Sequence, residues 1–230
     1  RVPVASGRPF PLVVYSHGSG GLRFIATFFT ETLASHGFVV IAADHAGDTI
    51  SDVFAGRPAT YDREPQVIAS RAADVRMIVN GVLTRSKTRG DLLYGAVDPT
   101  RIGITGHSWG GLTAFATVSG ATLPDGTKIP RDTRFKTIVT MDATTSLLST
   151  DDLDRVTVPA MSIVGEGFQV GIPNLWHQTR ATPFAEVHIK RAAHNVFTDI
   201  CRYQQLAPRF TDAEPGVIAY INTVANDACV

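Results

Sequence analysis

Gly106-His107-Ser108-Trp109-Gly110 sets a serine between two glycines, each two places away, where an alternating apolar run (Ile102, Ile104) gives way to an apolar periodic stretch (Leu112, Phe115, Ala116). The pattern is G-x-S-x-G in a strand-to-helix setting. Such a turn lifts a serine out of a sheet in a strained backbone conformation, and bulky side chains at 106 and 110 would strike the neighbouring strand and helix. The helix that follows would aim backbone N–H groups, that of Trp109 among them, at the place where negative charge develops on a substrate oxygen. The chemistry these residues point to is nucleophilic attack by Ser108. A Gly-rich turn with an incidental serine is the structural alternative, and the strand-elbow-helix context argues against it.

A serine hydroxyl at its ordinary pKa is a weak nucleophile, so Ser108 needs a base, and the base needs a carboxylate that holds one tautomer. On a sheet of this kind the chain order is serine, acid, histidine. Of the seven histidines, His194 in "RAAHNVF" follows the last strand, where the base should arrive. His177 reads as lying inside a helix, His188 in mid-strand and His36 near a helix C-terminus, and structural roles suffice for all three. Two carboxylates compete for the third role: Asp142 closes "TIVTMD" and Glu166 closes "MSIVGE". Both would point to the same rim of the sheet, spacing does not separate them, and either would serve equally well as a capping or solvated carboxylate.

A second N–H for the oxygen is expected from "SHGSGGL" (16–22), where Gly18, Gly20 and Gly21 let the backbone turn inward; the Ser19 N–H is the candidate. That loop lacks G-K-[ST] and G-x-G-x-x-G, which disfavours a phosphate cradle. With no HExxH, CxxC or carboxylate-rich loop, neither a metal nor a cofactor is expected.

The elements that must position these groups follow from hydrophobic period. Short Val- and Ile-rich runs at 11–17, 38–44, 101–107, 135–142, 158–166 and 185–190 read as strands buried on both faces. Between them, 22–36 (Leu22, Ile25, Phe28, Phe29, Leu33, then Gly37) and 65–83 (Ile68, Ala72, Val75, Val79, Leu83, after Pro65) carry helical spacing. Alternating strands and helices predict an α/β fold with a mostly parallel sheet of about six to seven strands flanked by helices. Residues 48–64 and 120–134 read as surface loops. About ten residues precede the first strand, so reduced or missing N-terminal edge strands are expected, whether in a processed piece or a shortened sheet. No linker or repeat appears, and one domain spanning 1–230 is the expectation.

Twenty-one basic and 21 acidic residues cancel and are scattered, which removes the footprint of a nucleic-acid or anionic-membrane binder and leaves a small or neutral partner. No apolar stretch approaches the ~20 residues of a membrane span, and the chain opens at Arg1 without a charged-then-apolar leader. A monomer is the default state. Cys201 and Cys229 either staple a C-terminal element by a disulfide or stand as two thiols; the bridge would favour a secreted or periplasmic location.

The chain resembles the α/β-hydrolase superfamily and, within it, the plasma-type platelet-activating factor acetylhydrolase family, through six motifs in matching order. "PLVVYSHGSGGLR" is similar to that family's first strand and oxyanion loop and "LASHGFVVIAADHAGD" to the next helix-strand unit. "GHSWGG" matches the elbow, "MDAT" the acid strand, "IVGEGFQ" the following strand and "HNVFTD" the histidine segment. The resemblance implies Asp142 as the acid, with Glu166 left as the alternate. It implies a cofactor-free serine carboxylic-ester hydrolase acting on short-chain acyl esters, platelet-activating-factor-like or oxidised phospholipids being in view. Ser19 and Thr144 depart from the family's apolar and aromatic residues, which would alter the width and polarity of an acyl pocket. Phe24, Phe28, Phe168 and Trp176 are candidates to line it, although aromatic residues at helical spacing also suit a core. The alternatives are a cutinase-like polyester hydrolase with the same elbow and a non-catalytic binding protein of the same fold.

Overall fold

The structure, a computed structural model, describes residues 9–57, 63–166, 178–209, 212, 214–226 and 228–229. Among the described residues eight strands run in chain order: β1 Phe10–Ser16, β2 Val39–Ala42, β3 Val97–His107, β4 Ala121–Thr122, β5 Lys128–Ile129, β6 Phe135–Met141, β7 Ala160–Gly165 and β8 Phe184–Ile189. The helices are α1 Thr27–Ser35, α2 Ile50–Phe54, α3 Glu64–Lys87, α4 Trp109–Ser119, α5 Thr150–Asp154, α6 Ile200–Leu206 and α7 Pro215–Ala225. Six strands form one sheet in the order β2-β1-β3-β6-β7-β8, and every pairing in it is parallel. β4 and β5 make a separate antiparallel hairpin within the stretch read as a loop.

Parallel strands require crossovers that cover both faces, and the side chains sort accordingly. On one face Leu12, Val14, Ile102, Ile104 and Ile138 pack with Val75, Val79 and Val82 of α3 and with Phe115 of α4. On the other, Tyr15 and Met141 pack with Phe29 of α1 and with Phe197. Helix α3 is amphipathic, its buried stripe running through Ile68, Ala72, Val75, Val79 and Val82 with Pro65 in the first turn. Every residue of α4 is buried, which suits the helix that follows the elbow.

Two helical expectations change. α1 starts at Thr27, not Leu22, because the Asp199 carboxylate, far away in sequence, accepts from the Thr27 N–H, while the Arg23 N–H is drawn to Asp44 Oδ1 at 2.7 Å. A side chain reaching across the fold overrides the local period. Within 48–64, a Thr49/Asp52 capping box starts the short helix α2 where composition alone suggested loop.

The strand register brings the functional candidates together. Ser16 pairs with Gly106, His107 with Met141, and Met141 with Ile163, so the C-terminal ends of β1, β3, β6 and β7 form one rim. In open parallel sheets that rim is where ligands bind. Cys201 and Cys229 form a disulfide joining α6 to the chain just beyond α7, inside a small cluster with Ile200, Ile221 and Ala225. No helix among the described residues is long and apolar enough to cross a membrane.

Replacing both cysteines by serine frees a loop of 28 residues in the unfolded chain and is expected to lower stability by about 3 kcal/mol in chemical denaturation. Gly81 in α3 has nothing within 4 Å of a would-be Cβ, so Gly81→Ala is expected to stabilise the fold by roughly 0.5–1 kcal/mol in the same assay.

Candidate active site

Ser108 sits between β3 and α4 with φ 55° and ψ −123°, a left-handed conformation that costs a non-glycine residue on the order of 1–3 kcal/mol. Its neighbours explain how the bend holds. The Ser108 N–H donates to Met141 O at 2.9 Å, and the Gly111 N–H donates to Ser108 O at 2.9 Å. A Cβ at Gly110 would lie 1.9 Å from the Ser16 carbonyl oxygen, and one at Gly106 would lie 2.4 Å from the Gly110 carbonyl carbon. The two glycines let α4 press against the end of β1, and Ser108 projects from that contact.

Asp142, fully buried at the end of β6, also has positive φ, 43°. Its Oδ1 accepts from the Gly165 N–H at 2.6 Å, and its Oδ2 lies 3.3 Å from Nδ1 of His194. A carboxylate accepts, so Nδ1 carries the proton and Nε2 of His194 is left as an acceptor. Glu166 goes elsewhere: it is exposed and accepts from the Arg191 N–H at 2.8 Å. Asp142 is therefore the carboxylate that meets His194, and Glu166 is not brought to the ring.

His194 opens a 3₁₀ turn after β8, and His107, the residue before the serine, supports it. His107 Nε2 donates to the His194 carbonyl at 2.8 Å, and the two rings lie against each other with centroids 4.4 Å apart and planes tilted by 39°. Burial, and then the nearby His194, push His107 down to about 3. A neutral ring there adds no charge to repel an imidazolium forming at His194.

The first loop carries a matching device. His17, wholly buried, donates from Nδ1 to Gly18 O at 2.7 Å and accepts at Nε2 from the His45 N–H at 3.1 Å. One neutral tautomer satisfies both bonds, and burial followed by the charge of Arg71 pushes His17 down to about 2. The Gly21 N–H adds a second bond to Gly18 O at 3.0 Å. The Gly18–Ser19 peptide is trans, so its N–H points opposite to that anchored carbonyl. The Ser19 N–H is turned away from the His17 ring as a result.

Ser108, His194, Ser19 and His107 face one cavity of about 500 Å³. Its far wall is apolar and includes Phe24, Phe54, Val217, Ile221 and Val224. Of the residues expected from the sequence to line a pocket, Phe24 lies on that wall, whereas Phe28 is exposed beside Phe29 and Thr144 is bonded to Ser146; neither borders the cavity. Phe168 and Trp176 lie outside the described residues, as does His177. Trp109 is buried against Ile68, Leu112 and Leu123, with its backbone at the first turn of α4. His188 is exposed on β8 beside Glu186, and His36 caps the end of α1 with Nδ1 2.8 Å from Thr32 O. The contribution of α7 is one that sequence reasoning misses, although Val217, Ile221 and Val224 have helical spacing; an apolar stripe of that kind looks like core until its neighbours are known.

The parallel sheet, the elbow after β3 and the rim of side chains define an α/β-hydrolase fold. A ferulic acid esterase from Streptomyces cinnamoneus superimposes with a TM-score of 0.64 at 23% identity, covering 94% of this chain and 59% of that one. A dienelactone hydrolase from Anabaena variabilis does so with 0.56 at 18% identity, covering 99% and 87%. The chain belongs to the family described as platelet-activating factor acetylhydrolase, isoform II, whose model matches residues 2–78 and 78–201. It is 24% identical to the platelet-activating factor acetylhydrolase of Cavia porcellus, an alignment that takes in 86% of this chain and 50% of that protein. For the protein of the same name from Canis lupus familiaris the identity is 25%, over 98% and 54%. The chain thus spans about half the length of the curated relatives it matches.

Gly110→Ala, with backbone in its way, is expected to cost at least about 3 kcal/mol or to prevent folding, as thermal denaturation will report. Acid stability is also set here. His17 and His107 have folded values far below the ordinary 6.5, and that of His45 is lowered too, first by burial. Below about pH 6.5 the unfolded chain binds protons that these rings refuse in the fold, so each ring removes up to roughly 1.4 kcal/mol of stability per pH unit. Above that pH the rings leave stability level. Urea midpoints are expected to fall between about pH 7 and pH 5, with a shallower fall in His107→Asn.

Proposed function

We propose that the protein is a serine carboxylic-ester hydrolase in which Ser108, His194 and Asp142 carry the chemistry. The observation that carries this is the 3.3 Å approach of the buried Asp142 carboxylate to His194 Nδ1 on the cavity that Ser108 also faces. The chemistry follows from the tautomer. His194 Nε2 takes the hydroxyl proton as Ser108 Oγ bonds to the ester carbon, and the carbonyl electron pair moves onto oxygen. The Ser19 and Trp109 N–H groups meet that oxyanion. As the tetrahedral species collapses, the C–O bond to the alcohol breaks and His194 returns its proton to the leaving oxygen. Water, deprotonated by the same ring, then releases the acid from Ser108. Asp142 holds the ring and stabilises its cationic form.

The cavity supports an uncharged substrate with an apolar part. Among the described lining residues none is Lys, Arg, Asp or Glu, and the far wall is aliphatic and aromatic. At about 500 Å³ the space exceeds what an acetyl group fills. The family suits this reading, and its relatives are named for hydrolysis of platelet-activating factor, an ester. The disulfide between Cys201 and Cys229 fits an oxidising compartment and so a secreted or periplasmic location.

A fluorophosphonate probe is expected to label Ser108 and to spare Ser108→Ala; absence of labelling on the folded wild type would remove the nucleophile. Asp142→Asn is expected to lower turnover of p-nitrophenyl acetate by about 10⁴-fold, while Glu166→Gln keeps most of it. The opposite pattern would transfer the acid role. An acyl chain ending in a carboxylate is expected to react at least tenfold more slowly than its neutral counterpart, on the order of the cost of burying an unpaired charge.

A further inference from the structure

Beneath the Ser19 loop lies a buried ion pair that the proposed reaction does not use. Arg71 of α3 and Asp48, just before α2, are each 1% exposed, and Arg71 Nη1 donates to Asp48 Oδ2. The rest of the guanidinium reaches the elbow's surroundings: Nη2 donates to the His17 carbonyl, and Nε donates to Thr113 Oγ1 of α4 at 3.1 Å. The other carboxylate oxygen faces the loop. Asp48 Oδ1 accepts from the Ser19 hydroxyl at 2.8 Å and from the Gly20 N–H at 3.0 Å. One ion pair therefore grips the loop on both sides of the Gly18–Ser19 peptide, whose N–H the esterase reading assigns to the oxyanion.

Close by, Ser16 Oγ lies 2.9 Å from His45 Nε2, and His45 Nδ1 lies 2.9 Å from Asp74 Oδ2. These are the groups of a second serine-histidine-carboxylate set. Ser16 is wholly buried at the end of β1 and also receives Arg71 Nη2 at 3.4 Å, so no substrate reaches it. It belongs to the same scaffold, since the His45 N–H is the donor that fixes the His17 ring.

A buried ion pair is an expensive way to hold a fold together. Desolvating each ion costs several kcal/mol, the attraction roughly repays it, and well-packed apolar residues of similar volume commonly serve as well. What an apolar pair does not supply is an acceptor for the Ser19 hydroxyl and the Gly20 N–H. We propose that Asp48, locked on Arg71, is a positioning residue that sets the Ser19–Gly20 backbone for the developing oxyanion. This rests on the esterase reading, and the two fail in different ways.

The test is the pair variant Asp48→Leu/Arg71→Met, which removes both charges and leaves no orphaned ion. It is expected to fold, to lose about 10²-fold in kcat, the scale of a missing oxyanion donor, and to keep KM within about twofold, as binding of the neutral substrate does not use that donor. Inhibition by phenylboronic acid, whose tetrahedral serine adduct places an oxygen at the same point, is expected to weaken in parallel. A folded pair variant with wild-type kcat, or a loss confined to KM, would overturn the proposal. Should the pair variant not fold, Ser19→Ala decides: among the described residues its lost hydroxyl bonds to Asp48, and kcat is expected to fall about 10-fold, the lower end of the worth of one charge-assisted hydrogen bond. Wild-type kcat and boronate affinity in that variant would overturn the proposal as well. Hydrogen exchange reads the anchor without any turnover: the Gly20 amide is expected to exchange slowly in the wild type, and fast exchange there would also overturn the proposal. A wild type that neither hydrolyses esters nor takes the fluorophosphonate strikes at the esterase reading instead.

Discussion

Gly110 leaves no space for even a methyl group beside the Ser16 carbonyl, and the arrangement of the site descends from that contact. Because α4 presses its first turn against the end of β1, the chain between β3 and α4 has to turn within one residue, and Ser108 takes a left-handed conformation to do so. The same closeness sets the first turn of α4 beside the His17–Gly21 loop. Ser108 and the two N–H groups assigned to the oxyanion are thus placed by backbone packing. Their relative positions do not depend on flexible side chains, which is what a preorganised site requires.

Around that contact the polar groups are buried and each is held by a named partner. Asp142 is fully buried and its two oxygens are divided between the Gly165 N–H and His194. His107 packs its tilted ring against His194 and holds its carbonyl. His17, His45, Asp48 and Arg71 are buried likewise, under the first loop. Two of these imidazoles sit beside cationic or potentially cationic partners, Arg71 for His17 and His194 for His107, and burial keeps both neutral. Each donates one proton to one backbone carbonyl and in doing so aims a loop. The fold uses these two neutral histidines as orienting struts.

The apolar side of the cavity has a different origin. It is built largely by α7, which returns over the rim and is tied to α6 by the Cys201–Cys229 disulfide. Tyr220 of α7 brings its hydroxyl 3.5 Å from where a Cβ on Gly20 would sit, and its ring meets Phe54 edge-on at 5.6 Å. The sheet rim that carries Ser108, Asp142 and His194 and the apolar wall on the C-terminal helices are therefore separate parts of the molecule. Variation in α7 can change what fits without touching Ser108, Asp142 or His194.

Much of this is legible in the residues alone. Strand-length apolar runs and helical periods announce a parallel sheet with helical crossovers, and the G-x-S-x-G pattern locates the bend, because only glycine tolerates the approach at 106 and 110. Chain order then points to His194. Those signals are local, and local physics produces them. The choice between Asp142 and Glu166 is not local: both end adjacent strands, and only the course of the chain from Ile189 to His194 sends the ring to one and the Arg191 N–H to the other. The same holds for the start of α1, moved to Thr27 by a carboxylate at position 199, and for Arg71 and Asp48, which look in the sequence like any solvated charges and become buried partners only when α3 packs across β1. Residue types and periods determined which chemistry was available and on what kind of scaffold. Tertiary packing decided which groups meet, since burial and hydrogen-bond direction depend on neighbours that are distant along the chain.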